Sequence, residues 1–257
     1  MRIQRFSAGP AVIEALLRGQ GPPVILIPGL AGDASLFDPL AEAIAQAGFL
    51  AAAVNPRGVG ESTGPLEGLT LHDFAADMAG VIEALGPPAH VVGKAFGNRI
   101  ARCVAADRSD LVRSLVLLNA GGLEGPDEAA AAAFRSLREA AVWEERHLPA
   151  MRTALFSPRS DARVWLGMRR WPAAEAAQTC AARATPSKAW WHGGSAPMLV
   201  VQGVDDRIAP PANGRALREA FPDRVTLVEI AGAGHALLPE QPRLVAEAVI
   251  SFFRRHA

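Results

Sequence analysis

His90-Val91-Val92-Gly93-Lys94-Ala95-Phe96-Gly97-Asn98-Arg99 is the stretch of this 257-residue chain from which the fold can be read. A short apolar run enters a Gly-x-x-x-Gly turn, and a helical pattern with Ile100, Cys103 and Val104 on one face leaves it. Glycines at this spacing let a strand turn sharply into a helix, because a side chain at either position would collide with neighbouring backbone. The residue held between them, Ala95, is expected at the tip of the turn in a strained conformation costing about 1–3 kcal/mol.

Working outward, the same strand-then-helix alternation recurs on both sides. Residues 1–8 and 11–17 read as a hairpin turning at Gly9-Pro10. Val24-Ile25-Leu26-Ile27, Leu50 to Val54 and Leu115-Val116-Leu117-Leu118 are continuous apolar runs, the pattern of strands buried on both faces. Between them lie helical stripes: Phe37, Leu40, Ala41 and Ile44, stopping at Gly48, and then Leu71, Phe74, Ala75, Met78, Val81, Ile82 and Leu85. Residues 121–195 break the alternation with an Ala-rich helical region. It resumes with a strand at Met198-Leu199-Val200-Val201, a helix near 211–220, a strand over 225–230 and a final helix carrying Val245, Val249, Phe252 and Phe253. Alternating βα units predict an α/β fold with a mainly parallel sheet flanked by helices. The interruption predicts a core of residues 1–120 and 196–257, with a helical cap, 121–195, inserted after the sixth strand.

Composition narrows the partners. Lys plus Arg equals Asp plus Glu at 26 each, which gives no support for nucleic acid or a charged membrane surface. Residues 1–6 begin no continuous apolar stretch, so neither a signal peptide nor a spanning helix is expected, and a cytoplasmic protein is the default. Cys103 and Cys180 match no metal-ligand spacing and are too few for a disulfide framework; Cys103 reads as core. No phosphate-binding glycine motif occurs, so no nucleotide cofactor is expected, and no metal. Two biases stand out. All five tryptophans (Trp143, Trp165, Trp171, Trp190, Trp191) fall in the interrupting region, and lysine occurs only at Lys94 and Lys188 in a chain that otherwise writes its cations as arginine.

Taken in order, four places make the chain resemble the α/β-hydrolases over essentially its whole length. Pro28-Gly29-Leu30 resembles the oxyanion loop, with Pro28 where His-Gly is common. Asn55-Pro56-Arg57-Gly58-Val59-Gly60-Glu61-Ser62 resembles the Asp-x-Arg-Gly-x-Gly-x-Ser turn, with Asn for Asp. Gly93-Lys94-Ala95-Phe96-Gly97 resembles the nucleophile elbow. Gly203-Val204-Asp205-Asp206 and Gly232-Ala233-Gly234-His235 resemble the acid and histidine loops. The resemblance implies that Ala95 holds the nucleophile position, Asp206 the acid and His235 the base, with the backbone N–H groups of Leu30 and Phe96 as oxyanion hole. It implies a small-molecule substrate under a cap whose tryptophans, Trp143, Trp165 and Trp171 among them, roof an apolar pocket.

Ala95 departs from the family pattern, since a methyl group attacks nothing. Three readings follow: a serine replaced by alanine in an otherwise complete hydrolase; an alanine site whose His235–Asp206 pair works non-covalently on water or an acidic carbon; or a ligand-binding protein. A hydrolase-type enzyme acting on an ester, lactone or carbon–carbon bond of a small organic substrate is the leading expectation. Lys94 reads first as a solvated surface lysine, and second as a buried amine able to act as base or Schiff-base donor. Arg169 and Arg170 read as a solvated helix face, or as partners for a substrate carboxylate. Oligomeric state is not legible.

Overall fold

The computed structural model of the chain describes residues 1–256. Eight strands form one sheet: β1 (Arg2–Ala8), β2 (Ala11–Arg18), β3 (Pro23–Ile27), β4 (Leu50–Val54), β5 (Ala89–Lys94), β6 (Val112–Leu118), β7 (Met198–Gly203) and β8 (Val225–Ile230). Their order across the sheet is β1-β2-β4-β3-β5-β6-β7-β8. The hairpin β1–β2 joins one edge antiparallel to β4, and every pairing from β4 to β8 is parallel. The chain steps outward from β3 to β4 and returns to the other side of β3 as β5. In open α/β sheets such a reversal opens a crevice at the carboxyl ends of the strands.

The apolar runs bury both of their faces by alternation. Ile25, Ile27, Val91, Leu115 and Leu117 point into a core shared with α2 (Leu71–Leu85) and α3 (Gly97–Asp107). Val24, Leu26, Val92, Val116 and Leu118 point to the opposite core, shared with α1 (Asp38–Gln46) and α9 (Pro242–Arg255). Period-2 geometry sends successive residues to opposite faces, so a run with no polar member needs helices on both sides. α2 is capped at its start by Asp73, whose carboxylate accepts the Thr70 N–H at 2.8 Å, and is ended by Gly86 at φ 97°. Between β6 and β7 lie α4 (Glu128–Arg138), α5 (Leu148–Ala154) and α6 (Pro172–Ala184). Leu137, Trp143, Met151, Phe156 and Trp165 form a third apolar cluster there, separate from the two sheet cores. The remaining helices are α7 (Ala212–Ala220) and the short α8 (Leu237–Glu240). Among the described residues no helix is long and apolar enough to cross a membrane.

One polar residue of the sheet gives the fold a pH dependence. His90 on β5 is fully buried, its ring 4.3 Å from that of Phe253 and its Nδ1 2.7 Å from the Ser114 hydroxyl. Burial, with Arg113 and His256 adding positive charge nearby, pushes its pKa from 6.5 down to about 4. Between those two values the unfolded chain binds a proton that the folded chain refuses, so stability is lost as pH falls through that window. At 1.36 kcal/mol per pKa unit the loss approaches about 3 kcal/mol by pH 4. Urea midpoints of the wild type should therefore fall more steeply between pH 6.5 and 4 than those of His90→Leu. Parallel curves would show that His90 does not carry the effect.

Candidate active site

The two glycines of the central turn are dictated by close backbone approach. A Cβ on Gly93 would lie 2.4 Å from the Gly97 carbonyl oxygen, and one on Gly97 would lie 2.3 Å from that of Ile27. The turn they permit holds Ala95 at φ 50°, with its N–H donating to the Leu118 carbonyl at 2.9 Å. Among the described residues only Ala31, Ala95 and Asn119 are non-glycine residues with positive φ, and all three line one cavity of about 360 Å³. Each such residue costs on the order of 1–3 kcal/mol. The strain is thus gathered at a single place, at the carboxyl ends of β3, β5 and β6.

His235, from the loop after β8, lines the same cavity. Its Nδ1 lies 2.9 Å and 3.1 Å from the two oxygens of Asp206, which follows β7. Asp206 is buried and its carboxylate is saturated: Oδ1 accepts the backbone N–H groups of Ile208 at 2.9 Å and Ala209 at 2.8 Å, and Oδ2 accepts Asn119 Nδ2 at 2.5 Å. Burial pushes this carboxyl up, but His235 and the two amides outweigh it and hold it below the usual carboxylate range. Burial dominates at His235 and lowers its pKa; the charge of Lys94 lowers it further and Asp206 opposes both. The imidazole is therefore neutral at neutral pH, with Nδ1 turned to the acid and Nε2 left without a protein partner among the described residues. An imidazole in that state is a base.

Leu30 and Phe96 also line the cavity, one after β3 and one after β5. Among the described residues, neither backbone N–H donates to a protein acceptor. The Leu30 loop is held in place by α6, because the next N–H, that of Ala31, donates to Gln178 Oε1 at 2.9 Å. The His235 loop is fixed in the same manner by Glu240, which accepts the N–H groups of Gly234 and Ser157, each at 2.7 Å. The variant Asn55 is a buried anchor: its Oδ1 accepts the Ala34 N–H at 2.7 Å and its Nδ2 donates to Glu14. Asn119, Gln178 and Glu240 have no counterpart in the sequence reading. Only Asn119 left a signal, an Asn just past a strand end, where its tolerance of left-handed backbone is useful.

No serine or cysteine lines the cavity among the described residues. Cys103 lies in the core, where burial pushes its thiol up to about 12 and leaves it inert. Among the described residues, no group of three His, Cys, Asp or Glu stands close enough to hold a metal ion.

Several expectations for this region change. Lys94 is not a solvated surface residue; it is 5% exposed and lines the cavity, because the last residue of a central strand cannot reach the surface. Arg170 is not on a solvated helix face but buried, in an ion pair with Glu175, which also binds Arg138. Trp143 and Trp165 line the cavity, but Trp171 does not. It precedes Pro172 at the start of α6 and stacks under the Arg169 guanidinium, 5.4 Å away. Trp190 and Trp191 pack on the buried Arg102, at 4.6 and 5.0 Å, against the sheet core rather than over the cavity.

The sequence pattern of the alpha/beta hydrolase fold matches residues 22–242, a span that contains β3 to β8 and each residue of the cavity just described. The chain belongs to the α/β-hydrolase family. Similar proteins of this family include one named as a candidate non-heme bromoperoxidase, BpoC, of Mycobacterium tuberculosis. It is 31% identical over 250 residues, covering 91% of this chain and 95% of its own. The crystal structure of BpoC superposes with a TM-score of 0.80 at 27% identity, over 95% of this chain and 96% of that one. The 2-(acetamidomethylene)succinate hydrolase of Mesorhizobium japonicum is 25% identical, covering 97% of this chain and 94% of its own. A third α/β-hydrolase, from Variovorax paradoxus and named as a candidate carbamate hydrolase, is 28% identical over 91% of this chain and 92% of its own.

Proposed function

We propose that this chain is a hydrolase-type enzyme for small organic substrates, in which His235 and Asp206 activate water directly. The observation that carries the reading is a neutral, acid-oriented imidazole in a cavity that, among the described residues, holds two free backbone N–H groups and no serine or cysteine. Residues 121–195 serve as the cap and residues 1–120 and 196–257 as the catalytic core. Two similar proteins carry the names of a 2-(acetamidomethylene)succinate hydrolase and a candidate carbamate hydrolase, which supports the same reaction class.

The chemistry follows from the positions. Ala95 carries a methyl where a family serine would carry a hydroxyl, and the attacking water is placed where that hydroxyl oxygen would stand, in the cavity that His235 also lines. His235 Nε2 takes a proton from water as its oxygen attacks the substrate carbonyl carbon. The carbonyl electron pair moves to oxygen, and the resulting oxyanion accepts the N–H groups of Leu30 and Phe96. On collapse the imidazolium returns its proton to the leaving oxygen or nitrogen, and the products are a carboxylic acid and an alcohol or amine. Asp206 stabilises the imidazolium and fixes the tautomer, which keeps Nε2 free.

Steady-state hydrolysis of short-chain p-nitrophenyl esters and the matching amides tests the reading. Because the folded environment holds the His235 pKa below 6.5, kcat/KM is expected to stay level through that pH and to begin falling only below it. At lower pH it should fall tenfold per unit, as protonation removes the base. Saturable ligand binding without turnover would instead make the chain a binding protein on this fold.

A further inference from the structure

The mechanism leaves the buried charge of Lys94 without a task. Lys94, the last residue of β5, has no hydrogen-bond acceptor and no ion pair among the described residues. The two carboxylates whose fields reach it are already committed. Asp206 is saturated by His235, Asn119 and two backbone amides, and Glu240 by the amides of Ser157 and Gly234. The ammonium lies 5.5 Å from the centre of the Trp165 ring, which shields one side, and Lys94 is part of the cavity lining. A buried ammonium in that state is unfavourable unless an anion arrives, and a protein retains such a charge where a ligand completes it.

The other cations of the wall sharpen the contrast. Arg138 and Arg170 are both paired to Glu175, and Arg169 is exposed and stacks on Trp171. Arg99 is not paired: its guanidinium stacks on Phe96 at 5.9 Å and Trp190 at 5.5 Å with no acidic partner among the described residues. Of the acids in the wall, Asp33 is turned to Ser35 at 2.5 Å and Glu124 is exposed. The elbow end of the cavity therefore holds two cations, Lys94 and Arg99, that make no contact ion pair among the described residues, with the charge of Asp206 acting on Lys94 only through space. The lining from Leu36, Phe134, Leu155 and Met168 is apolar. A chain so biased toward arginine has kept at this point the compact cation with three rotatable donors.

We propose that the substrate carries a carboxylate, and that the Lys94 ammonium binds it beside the carbonyl under attack. The proposal rests on the cavity being the substrate site and deepens the hydrolase reading. It places an apolar body against the inserted helices and an anionic end at the elbow. Adjacency to Ala95 sets the carboxylate only a few bonds from the scissile group. Burial pushes the free amine down to about 8, against the pull of Asp206 and Glu240 and with His235 close by. A bound carboxylate favours the ammonium, so binding above pH 8 should take up a proton, visible as a buffer-dependent enthalpy.

Calorimetry with 3-phenylpropionate and 3-phenylpropionamide separates charge recognition from shape, because the two differ little beyond the charge. At pH 7 the wild type should bind the carboxylate at least about tenfold more tightly than the amide, through a charge-assisted hydrogen bond. Lys94→Met should lose that preference while Lys94→Arg keeps part of it. Unliganded Lys94→Met should also melt about 2–4 °C higher than the wild type, since an unpaired buried charge has gone, and this shows the variant to be folded. Equal binding of the two compounds to the wild type, binding of neither, or an unchanged preference in Lys94→Met would overturn the proposal. These measurements need no turnover. An ester hydrolase indifferent to carboxylates would sink the proposal alone, and carboxylate selectivity without hydrolysis would sink the reaction alone.

Discussion

Changing His235 to alanine should lower kcat/KM for ester and amide hydrolysis by about 10²–10⁴-fold, the range a positioned general base contributes. The loss is expected to fall in kcat rather than KM, because the imidazole works on water in the transition state and the cavity walls are untouched. Asp206→Asn should approach the same loss for a different reason. An amide at 206 removes the charge that stabilises the imidazolium and can present its NH₂ group to His235. It also meets Asn119 Nδ2, which donates to Asp206 Oδ2 in the wild type, so two donors face each other where one donor and one acceptor stood. Both variants need a thermal melt alongside the assay, to show that the lost turnover is not lost fold. Turnover that survives His235→Ala at more than a tenth of the wild-type level would exclude His235 as the base.

The sheet was legible because its signals are local. A run such as Val24-Ile25-Leu26-Ile27 tolerates no polar residue on either side, and the structure sends its members alternately into the two helix-covered cores. Gly93 and Gly97 marked the sharp turn because contacts with backbone 2.3–2.4 Å from a would-be Cβ leave no other residue type. The positions of Asp206 and His235 were legible only as places in a motif order, and their 2.9 Å contact is a product of the parallel sheet that sets both loops at one end. The supports of the site could not be read in that way. Gln178 reaches Ala31 across 147 positions and Glu240 reaches Ser157 across 83, and neither side chain belongs to a local pattern. The tryptophans misled because composition locates a residue in the chain but not on a face. Two of the five line the cavity, and Trp190 and Trp191 instead pack on Arg102 against the sheet core. Lys94 misled for a related reason: a lysine is ordinarily solvated, and only its place as the last residue of a doubly covered strand buries it.

Ala95→Ser asks whether the site is complete in everything except its nucleophile. The backbone at this position already holds the strained φ of 50°, the neighbouring N–H of Phe96 has no other acceptor among the described residues, and His235 is neutral. A serine there adds one oxygen to a methyl at the point where the mechanism places the attacking water. Two effects of opposite sign follow. Toward an activated ester such as p-nitrophenyl acetate, the hydroxyl should act as nucleophile and give a burst of one p-nitrophenol per chain, followed by acyl-enzyme turnover. Loss of a triad serine costs about 10⁶-fold in turnover in the subtilisin case, so the gain should reach several orders of magnitude if the oxyanion donors are in register. Toward the substrate on which the alanine form acts through water, the same hydroxyl should occupy the water's place and lower kcat. A burst together with a reduced water-dependent rate would fit a site built to run without a covalent step. A large gain with no His235-dependent rate in the alanine form would mean that Ala95 merely disables a serine hydrolase. No burst across a range of acyl chain lengths would show that Ala95 is not the nucleophile position, and the oxyanion assignment of Leu30 and Phe96 would fall with it.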